Sequence, residues 1–225
     1  LVLREKAKAR GVGQGVGVED ETLLIAEALC EGIRLKGVEN LPCWTKESLQ
    51  LRARIEFLNR TLGTWCDVSD AALLVALPGF VSGMNKWRDL EKLDLFRVFD
   101  YLLAESGHDR RELDRLAPTK MEVPSGSNMT IHYEGDEPTV EVRLQECFGL
   151  METPKVAGGK VPIVMTLLSP AQRPIQITKD LAGFWQGAYQ LVRKDMRGRY
   201  PKHYWPEDPF AAVATRRVRP KPTEI

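Results

Sequence analysis

The hydrophobic periodicity of the chain changes at Pro118, and this change constrains the fold more than any other feature. Before Pro118, apolar residues such as Leu23, Ala26 and Ile33 recur every three or four positions, which is typical of amphipathic helices. After it, apolar and polar residues alternate, as in residues 129–134, which is typical of half-buried strands. The sequence therefore predicts an α+β fold, with a helical N-terminal half packed on a small, mainly antiparallel sheet and a C-terminal amphipathic helix.

Residues 71–77 are interpreted as a short apolar segment that stops at Pro78. The helical pattern predicts helices at residues 19–36, 45–62, 90–104, 109–116 and 179–197, with a short helix at 144–150. Thr45 is expected to cap the second of these. Its buried face is expected to include Leu49, Ile55 and Leu58, and that of the third helix Phe96 and Tyr101. The last helix is expected to bury one stripe, formed by Leu181, Phe184, Trp185, Ala188 and Val192.

Alternation and turn residues predict the strands. These span residues 119–123, 129–134, 139–143, 161–168 and 174–177. The run at 161–168 is the most apolar and is expected to be a central, buried strand. Pro174 lacks a backbone N–H, so the last strand is expected at an edge of the sheet.

The predicted organisation has four parts. Residues 1–18 are interpreted as the end of a preceding element and a Gly-rich link. Residues 19–117 form a helical subdomain, 118–206 an α+β block and 207–225 a basic tail. The first residue is Leu rather than Met, so we expect the chain to be a segment of a longer protein.

The composition argues against several classes of protein. The hydrophobic fraction of 43% and charged fraction of 28% are close to the globular average, so disorder over the whole chain is not expected. The four cysteines form no CxxC pair, which excludes an obvious zinc ribbon and favours a reducing, cytoplasmic location. No apolar run approaches the ~20 residues that cross a bilayer, so no membrane partner is expected.

The sequence predicts no catalytic, cofactor or metal site. Residues 158–161 read Gly-Gly-Lys-Val and lack the first glycine and the Ser/Thr of a phosphate-binding P-loop, so we interpret them as a turn before a strand. His108, His132 and His203 have no second His or Cys at the spacing of helix-borne metal ligands. The serines at 125 and 127 lack the Gly-x-Ser-x-Gly context of a hydrolase nucleophile.

The charge of the chain is strongly polarised, although its total is only +1. Residues 173–225 contain eleven basic and five acidic residues, a net charge of +6, and the remainder carries −5. The basic residues lie among Tyr200, Tyr204 and Trp205, a combination that suits phosphates and bases of nucleic acid. The candidate nucleic-acid-binding residues are Arg193, Lys194, Arg197, Arg199 and Lys202. The alternative is a solvated face, because cations also suit the C-terminal end of a helix without any ligand.

Four long stretches resemble the C-terminal region of HrpB-type ATP-dependent helicases of the DEAH/RHA group. They read LAPTKMEVPSGS at 116–127, VRLQECFGL at 142–150, LSPAQRPIQITKDLAGFW at 168–185 and RYPKHYWPEDP at 199–209. The likeness is looser over residues 30–115, where LPCW at 41–44 and LRARIEF at 51–57 still fit, and poor over the first 18 residues.

The resemblance implies an accessory region of an RNA helicase. In such proteins, RecA-like motor domains bind ATP and magnesium and move along single-stranded RNA. None of the motor motifs is present here, so this region is expected to hold no cofactor and to be inactive alone. Its implied partners are single-stranded RNA and the motor domains of the same chain. Two functions stay open: assisting RNA binding, or bracing the motor domains or a partner protein without RNA contact.

Overall fold

The computed structural model describes residues 18–220. Residues 1–17, nearly all of the segment interpreted as the end of a preceding element and a Gly-rich link, and the last five residues of the basic tail therefore lie outside the described residues. The chain divides between Arg110 and Arg111 into two compact units. The α+β class is confirmed, because helices fill the N-terminal half and a mainly antiparallel five-stranded sheet follows.

The first unit is helical. Its α-helices are α1 (Val18–Lys36), α2 (Lys46–Leu62), α3 (Asp70–Ala76) and α4 (Leu95–Glu105). Short 3₁₀ turns occur at Val38–Asn40, Leu77–Gly79 and Trp87–Lys92. Helix α5 (Arg110–Leu116) begins at the division between the units.

Helix α2 begins where the sequence predicts, because its cap is local. The Ser48 amide donates to Thr45 Oγ1 at 3.1 Å and the Thr45 amide donates to Ser48 Oγ at 2.9 Å, a reciprocal capping box. The helix ends at Gly63, whose φ of 72° is the left-handed conformation that glycine adopts without strain. The predicted buried face was only partly right: Ile55 and Leu58 are buried, whereas Leu49 is exposed.

The prediction for residues 90–104 was wrong at its start. Helix α4 begins at Leu95, because the Asp94 side chain accepts a hydrogen bond from the Phe96 amide at 3.0 Å and caps the helix there. The buried face of α4 also differs from the predicted one. Val98 and Phe99 are fully buried, while Phe96 and Tyr101, which were expected in the core, are exposed.

The second unit contains a five-stranded sheet in the order β1-β2-β3-β6-β7. Its strands are β1 (Lys120–Glu122), β2 (Asn128–His132), β3 (Thr139–Arg143), β6 (Val164–Leu168) and β7 (Pro174–Thr178). All neighbours are antiparallel except β3 and β6, which run parallel with Val140 opposite Met165. Strand β7 lies at an edge, as its proline predicts.

Residues 161–168 do not form one strand. β5 (Val161–Pro162) pairs with β4 (Lys155–Val156) in a separate two-stranded sheet, and only Val164–Leu168 enters the large sheet. The Ile163 amide still donates to the Pro154 carbonyl at 2.9 Å, and the Val164 amide donates to the Pro138 carbonyl at 2.8 Å, so the chain passes from one sheet to the other here. The turn predicted at 158–160 joins β4 to β5. The helix predicted at 144–150 is only a 3₁₀ turn, Leu144–Glu146.

The C-terminal helix is broken into α6 (Leu181–Gln186) and α7 (Tyr189–Arg199). The break falls at Gly187, whose φ of −109° and ψ of −88° are not helical. Leu181, Phe184 and Trp185 are buried as predicted, but Ala188 is exposed. Because the break reorients the chain, Tyr189 and Met196 become the buried residues of α7.

An aromatic cluster holds α6, α7 and the loops around them. Its members, each in ring contact with at least one other, are Phe148, Phe184, Trp185, Tyr189 and Tyr204. The Tyr189 hydroxyl donates to the Pro206 carbonyl at 2.7 Å, and burial raises the pKa of this phenol. The cluster therefore packs against α7, which carries Arg193, Lys194, Arg197 and Arg199, and holds the loop after it, which carries Lys202.

Candidate nucleic-acid interface

The five predicted basic residues lie on different faces of α7 and its following loop. Arg193 and Arg197 are one turn apart and therefore neighbours on the helix surface. Arg199 lies on another face, one turn after Asp195. Lys202 follows the end of the helix. The structure therefore separates this set into residues held by protein partners and residues that face solvent.

Arg193 is held by the protein itself. Its side chain is only 15% exposed and forms an ion pair with Glu207 at 3.0 Å, through Nη2. Its Nε donates to the Trp205 carbonyl at 3.0 Å. These two contacts join α7 to the loop at 205–207. Arg193 therefore has a structural role, which the number of basic residues in the sequence does not reveal.

Arg199 is also partnered. Its Nε lies 2.9 Å from Asp195 Oδ1. Both side chains are exposed, and such surface pairs contribute only about 0–1 kcal/mol to stability. A nucleic-acid phosphate can replace Asp195 as the partner of Arg199. Until then, the Asp195 carboxylate partly neutralises the charge of Arg199.

Lys194, Arg197 and Lys202 are exposed and form no ion pair within residues 18–220. No carboxylate of the described chain is therefore in direct contact with these three cations. These three side chains are the part of the predicted set best suited to contact phosphates.

The segment 211–220 adds three cations that the sequence prediction left out of the site. The Thr215 amide donates to the Gln145 carbonyl at 2.9 Å, and the Tyr204 amide donates to the Val218 carbonyl at 2.8 Å. Arg219 Nε donates to the Lys202 carbonyl at 3.3 Å. The segment thus folds back beside the loop after α7. We call the exposed cations of α7, of its following loop and of this segment the basic surface: Lys194, Arg197, Lys202, Arg216, Arg217 and Arg219.

The aromatic residues of the region are mainly packing residues. Trp205 is buried, and its indole N–H donates to the Tyr200 carbonyl at 3.0 Å. Tyr204 packs edge-on against Phe148. Tyr200 and Tyr204 are half-buried. The expected stacking of bases on Trp205 is therefore not supported, and the basic surface is suited to phosphates more than to bases.

An open cleft of about 420 Å³ lies at the edge of the basic surface. It is lined by Arg193, Arg197, Pro201, His203, Trp205 and Glu207. His203 Nδ1 is buried and forms no hydrogen bond with a described residue. Within the lining, Glu207 is the sole carboxylate, and it is the partner of Arg193.

The described residues offer no catalytic arrangement that we recognise. Among residues 18–220, no group of three or more His, Cys, Asp or Glu side chains could hold a metal ion. The four cysteines are buried thiols, and burial raises the pKa of Cys43 to about 11, which disfavours the nucleophilic thiolate. Ser127 donates to a buried Glu146 carboxylate rather than facing a pocket.

Within residues 18–220, no helix combines the length and the apolar character that crossing a membrane requires.

The model of one protein family, described as the ATP-dependent helicase C-terminal family HrpB_C, matches residues 77–209. The chain belongs to this family. The HrpB_C match includes α7 and the loop after it, and it confirms the resemblance seen in the sequence. It ends at residue 209, before the segment that carries Arg216, Arg217 and Arg219.

Relatives with names and structures agree with the HrpB_C assignment. The ATP-dependent RNA helicase HrpB of Escherichia coli (strain K12) is 44% identical over 208 residues, which cover 89% of this chain and 25% of that protein. A crystal structure of the E. coli DExH-box NTPase HrpB matches 91% of this chain with a TM-score of 0.78 and 42% identity. One of the E. coli DEAH/RHA helicase HrpB matches 86% with a TM-score of 0.65 and 39% identity. The chain spans about a quarter of the length of each.

Proposed function

We propose that this C-terminal helicase-associated region binds single-stranded RNA through the basic surface and assists a helicase motor. The observation that carries the proposal is the set of six exposed cations, none of which forms an ion pair within residues 18–220. Residues 193–220 contain eight basic and three acidic residues, a net charge of +5. A surface of this kind attracts nucleic-acid phosphates with little dependence on base sequence.

RNA is favoured as the ligand by the relative's name. The E. coli protein is an ATP-dependent RNA helicase, and this chain is similar to its C-terminal part. On the same basis we propose that ATP and magnesium bind to motor domains outside this region, that the region does not hydrolyse ATP alone, and that it works in the cytoplasm. The four buried, unpaired cysteines are consistent with a reducing compartment.

Charge reversal of the basic surface tests the proposal. The triple variant Lys194→Glu/Arg197→Glu/Lys202→Glu is expected to bind a single-stranded RNA oligonucleotide on the order of 100-fold more weakly than wild type at low salt, because three phosphate-attracting charges become repulsive. Fluorescence anisotropy of labelled RNA measures the affinity. The variant changes only exposed side chains, so its circular dichroism spectrum should match that of wild type.

A matched control separates local contacts from net charge. The variant Lys120→Glu/Lys155→Glu/Lys160→Glu alters the net charge by the same amount at three other exposed lysines of the same unit. It should retain RNA affinity within a few-fold. Equal weakening by both variants would mean that only net charge matters, and unchanged affinity in the first variant would contradict the proposed surface.

A docking module without RNA contact is the second candidate, and one observation favours it. Leu191 lies on α7 with 76% of its surface exposed, and Ile177 and Val213 of the same unit are also exposed. Where exposed apolar side chains form a contiguous patch, another protein surface can pack on them. This candidate predicts that the triple charge reversal leaves RNA affinity unchanged, while Leu191→Ser weakens association with purified motor domains.

A further inference from the structure

The cleft beside the basic surface combines a fixed cation with a free one. Arg193 is held in place by the Trp205 carbonyl and is largely buried, so its guanidinium loses little conformational freedom when it binds an anion. Arg197, one turn on, is exposed and forms no ion pair within the described residues. Two guanidiniums at this spacing can contact the same phosphate.

Glu207 is the partner of Arg193 in this cleft, and it is held loosely. Its side chain is 86% exposed, so water and salt weaken the 3.0 Å ion pair. Its backbone is anchored separately, because Gln190 Nε2 donates to the Glu207 carbonyl at 2.9 Å. The carboxylate can therefore rotate away from Arg193 without any movement of the loop.

His203 supplies a third polar group to the same cleft. Its Nδ1 is buried without a hydrogen bond from or to a described residue, although buried polar atoms are usually partnered. The ring packs edge-on against Tyr200, which fixes its position in the lining. The indole N–H of Trp205 already donates to the Tyr200 carbonyl, so the groups that the lining offers to an oxyanion are the imidazole of His203 and the two guanidiniums.

We propose that this cleft is a phosphate site for the RNA backbone, in which a phosphate group bridges Arg193 and Arg197 and displaces the Glu207 carboxylate. This inference rests on the proposed RNA binding and deepens it. A carboxylate is the side chain closest in charge and hydrogen bonding to a phosphate oxygen pair, so Glu207 occupies the place of the phosphate until RNA binds. The carboxylate thereby lowers the affinity of the basic surface for RNA and for stray anions alike.

The test is the substitution Glu207→Gln. Removal of the competing charge is expected to strengthen binding of single-stranded RNA by about three- to tenfold at low salt. The control Glu141→Gln changes the net charge equally at an exposed carboxylate on β3 and should change affinity by less than about twofold. The double variant Arg197→Gln/Glu207→Gln should lose most of the gain, because the phosphate then has only Arg193.

The outcomes separate this inference from the proposed function. If wild type binds RNA and the triple charge reversal abolishes binding, but Glu207→Gln behaves like Glu141→Gln, the phosphate site is wrong and the basic surface stands. If wild type binds no RNA at low salt, both are wrong. Glu141 and Glu207 are exposed, so we expect both glutamine variants to melt at the temperature of wild type. Equal melting temperatures would exclude an effect of folding on RNA affinity.

Competition between sodium pyrophosphate and RNA, measured at constant ionic strength, shows whether the cleft binds free phosphate groups or only those of a nucleic-acid strand. If pyrophosphate competes with RNA, and competes better in Glu207→Gln, the cleft accepts phosphate groups in general. If it does not compete while Glu207→Gln still strengthens RNA binding, the cleft is specific for phosphates within a nucleic-acid strand. Either result supports a phosphate site, and the second confines it to phosphates within a nucleic-acid strand.

Discussion

Replacement of Trp185 by alanine is expected to lower the free energy of unfolding of the second unit by ~3–5 kcal/mol. The side chain is 2% exposed, and its ring centroid lies 5.0 Å from that of Phe184 and 5.3 Å from that of Tyr189. The substitution leaves a large cavity in this cluster. It also removes the hydrogen bond from the indole N–H to the Leu150 carbonyl, which measures 2.9 Å.

Urea unfolding followed by circular dichroism measures this effect, with Leu191→Ala as the control. Leu191 lies on α7 but is exposed, so its truncation should cost less than about 0.5 kcal/mol. A loss below about 1 kcal/mol for Trp185→Ala would show that the indole is not in the core, and it would then become a candidate for stacking on RNA bases.

The second large effect is expected at Glu146, a buried carboxylate at the end of the turn after β3. Its Oε2 accepts hydrogen bonds from Ser127 Oγ at 2.5 Å and Ser125 Oγ at 2.8 Å, and its Oε1 lies 3.7 Å from Arg143 Nε. Glu146→Gln is expected to lower the free energy of unfolding by about 2–3 kcal/mol, because a neutral amide weakens these charge-assisted bonds and introduces a buried N–H₂.

A double-mutant cycle tests that explanation. Ser127→Ala alone should also destabilise, because it leaves the carboxylate with fewer donors. The combination Glu146→Gln/Ser127→Ala should cost less than the sum of the single changes, since both remove the same interaction. Strict additivity, or a Glu146→Gln effect as small as that of the exposed Glu141→Gln, would show that the Ser127–Glu146 contact contributes little.

Features that depend on neighbouring residues could be predicted from the sequence. Thr45 and Ser48 are three residues apart, so the start of α2 follows from their chemistry. The alternation over residues 129–134 indicated the buried side of this strand, since Ile131 of β2 and Tyr133 directly after it are buried. The turn at 158–160 followed from its glycines.

Features that depend on residues distant in sequence could not be predicted. Ser127 and Glu146 are nineteen positions apart, and nothing local shows that they meet. Thr215 reaches Gln145 across the unit, which orders a segment that the sequence suggested was a tail. The break at Gly187 was missed because a single glycine is tolerated inside many helices.

The candidate site shows the same limit. Counting charges identified the basic segment around α7, but a count cannot tell a cation that faces solvent from one that is used internally. Arg193 has the same local pattern as Arg197, yet it is tied to Trp205 and Glu207. Trp205 looked suited to base stacking, but its aromatic ring is buried.

The salt dependence of RNA binding tests the central claim most directly. The observed association constant of wild type for a single-stranded RNA oligonucleotide is measured at several salt concentrations by fluorescence anisotropy. With about four to six phosphate contacts, a plot of its logarithm against the logarithm of salt concentration is expected to have a slope of about −3 to −4. A slope near zero, or no binding at low salt, would contradict RNA contact by the basic surface.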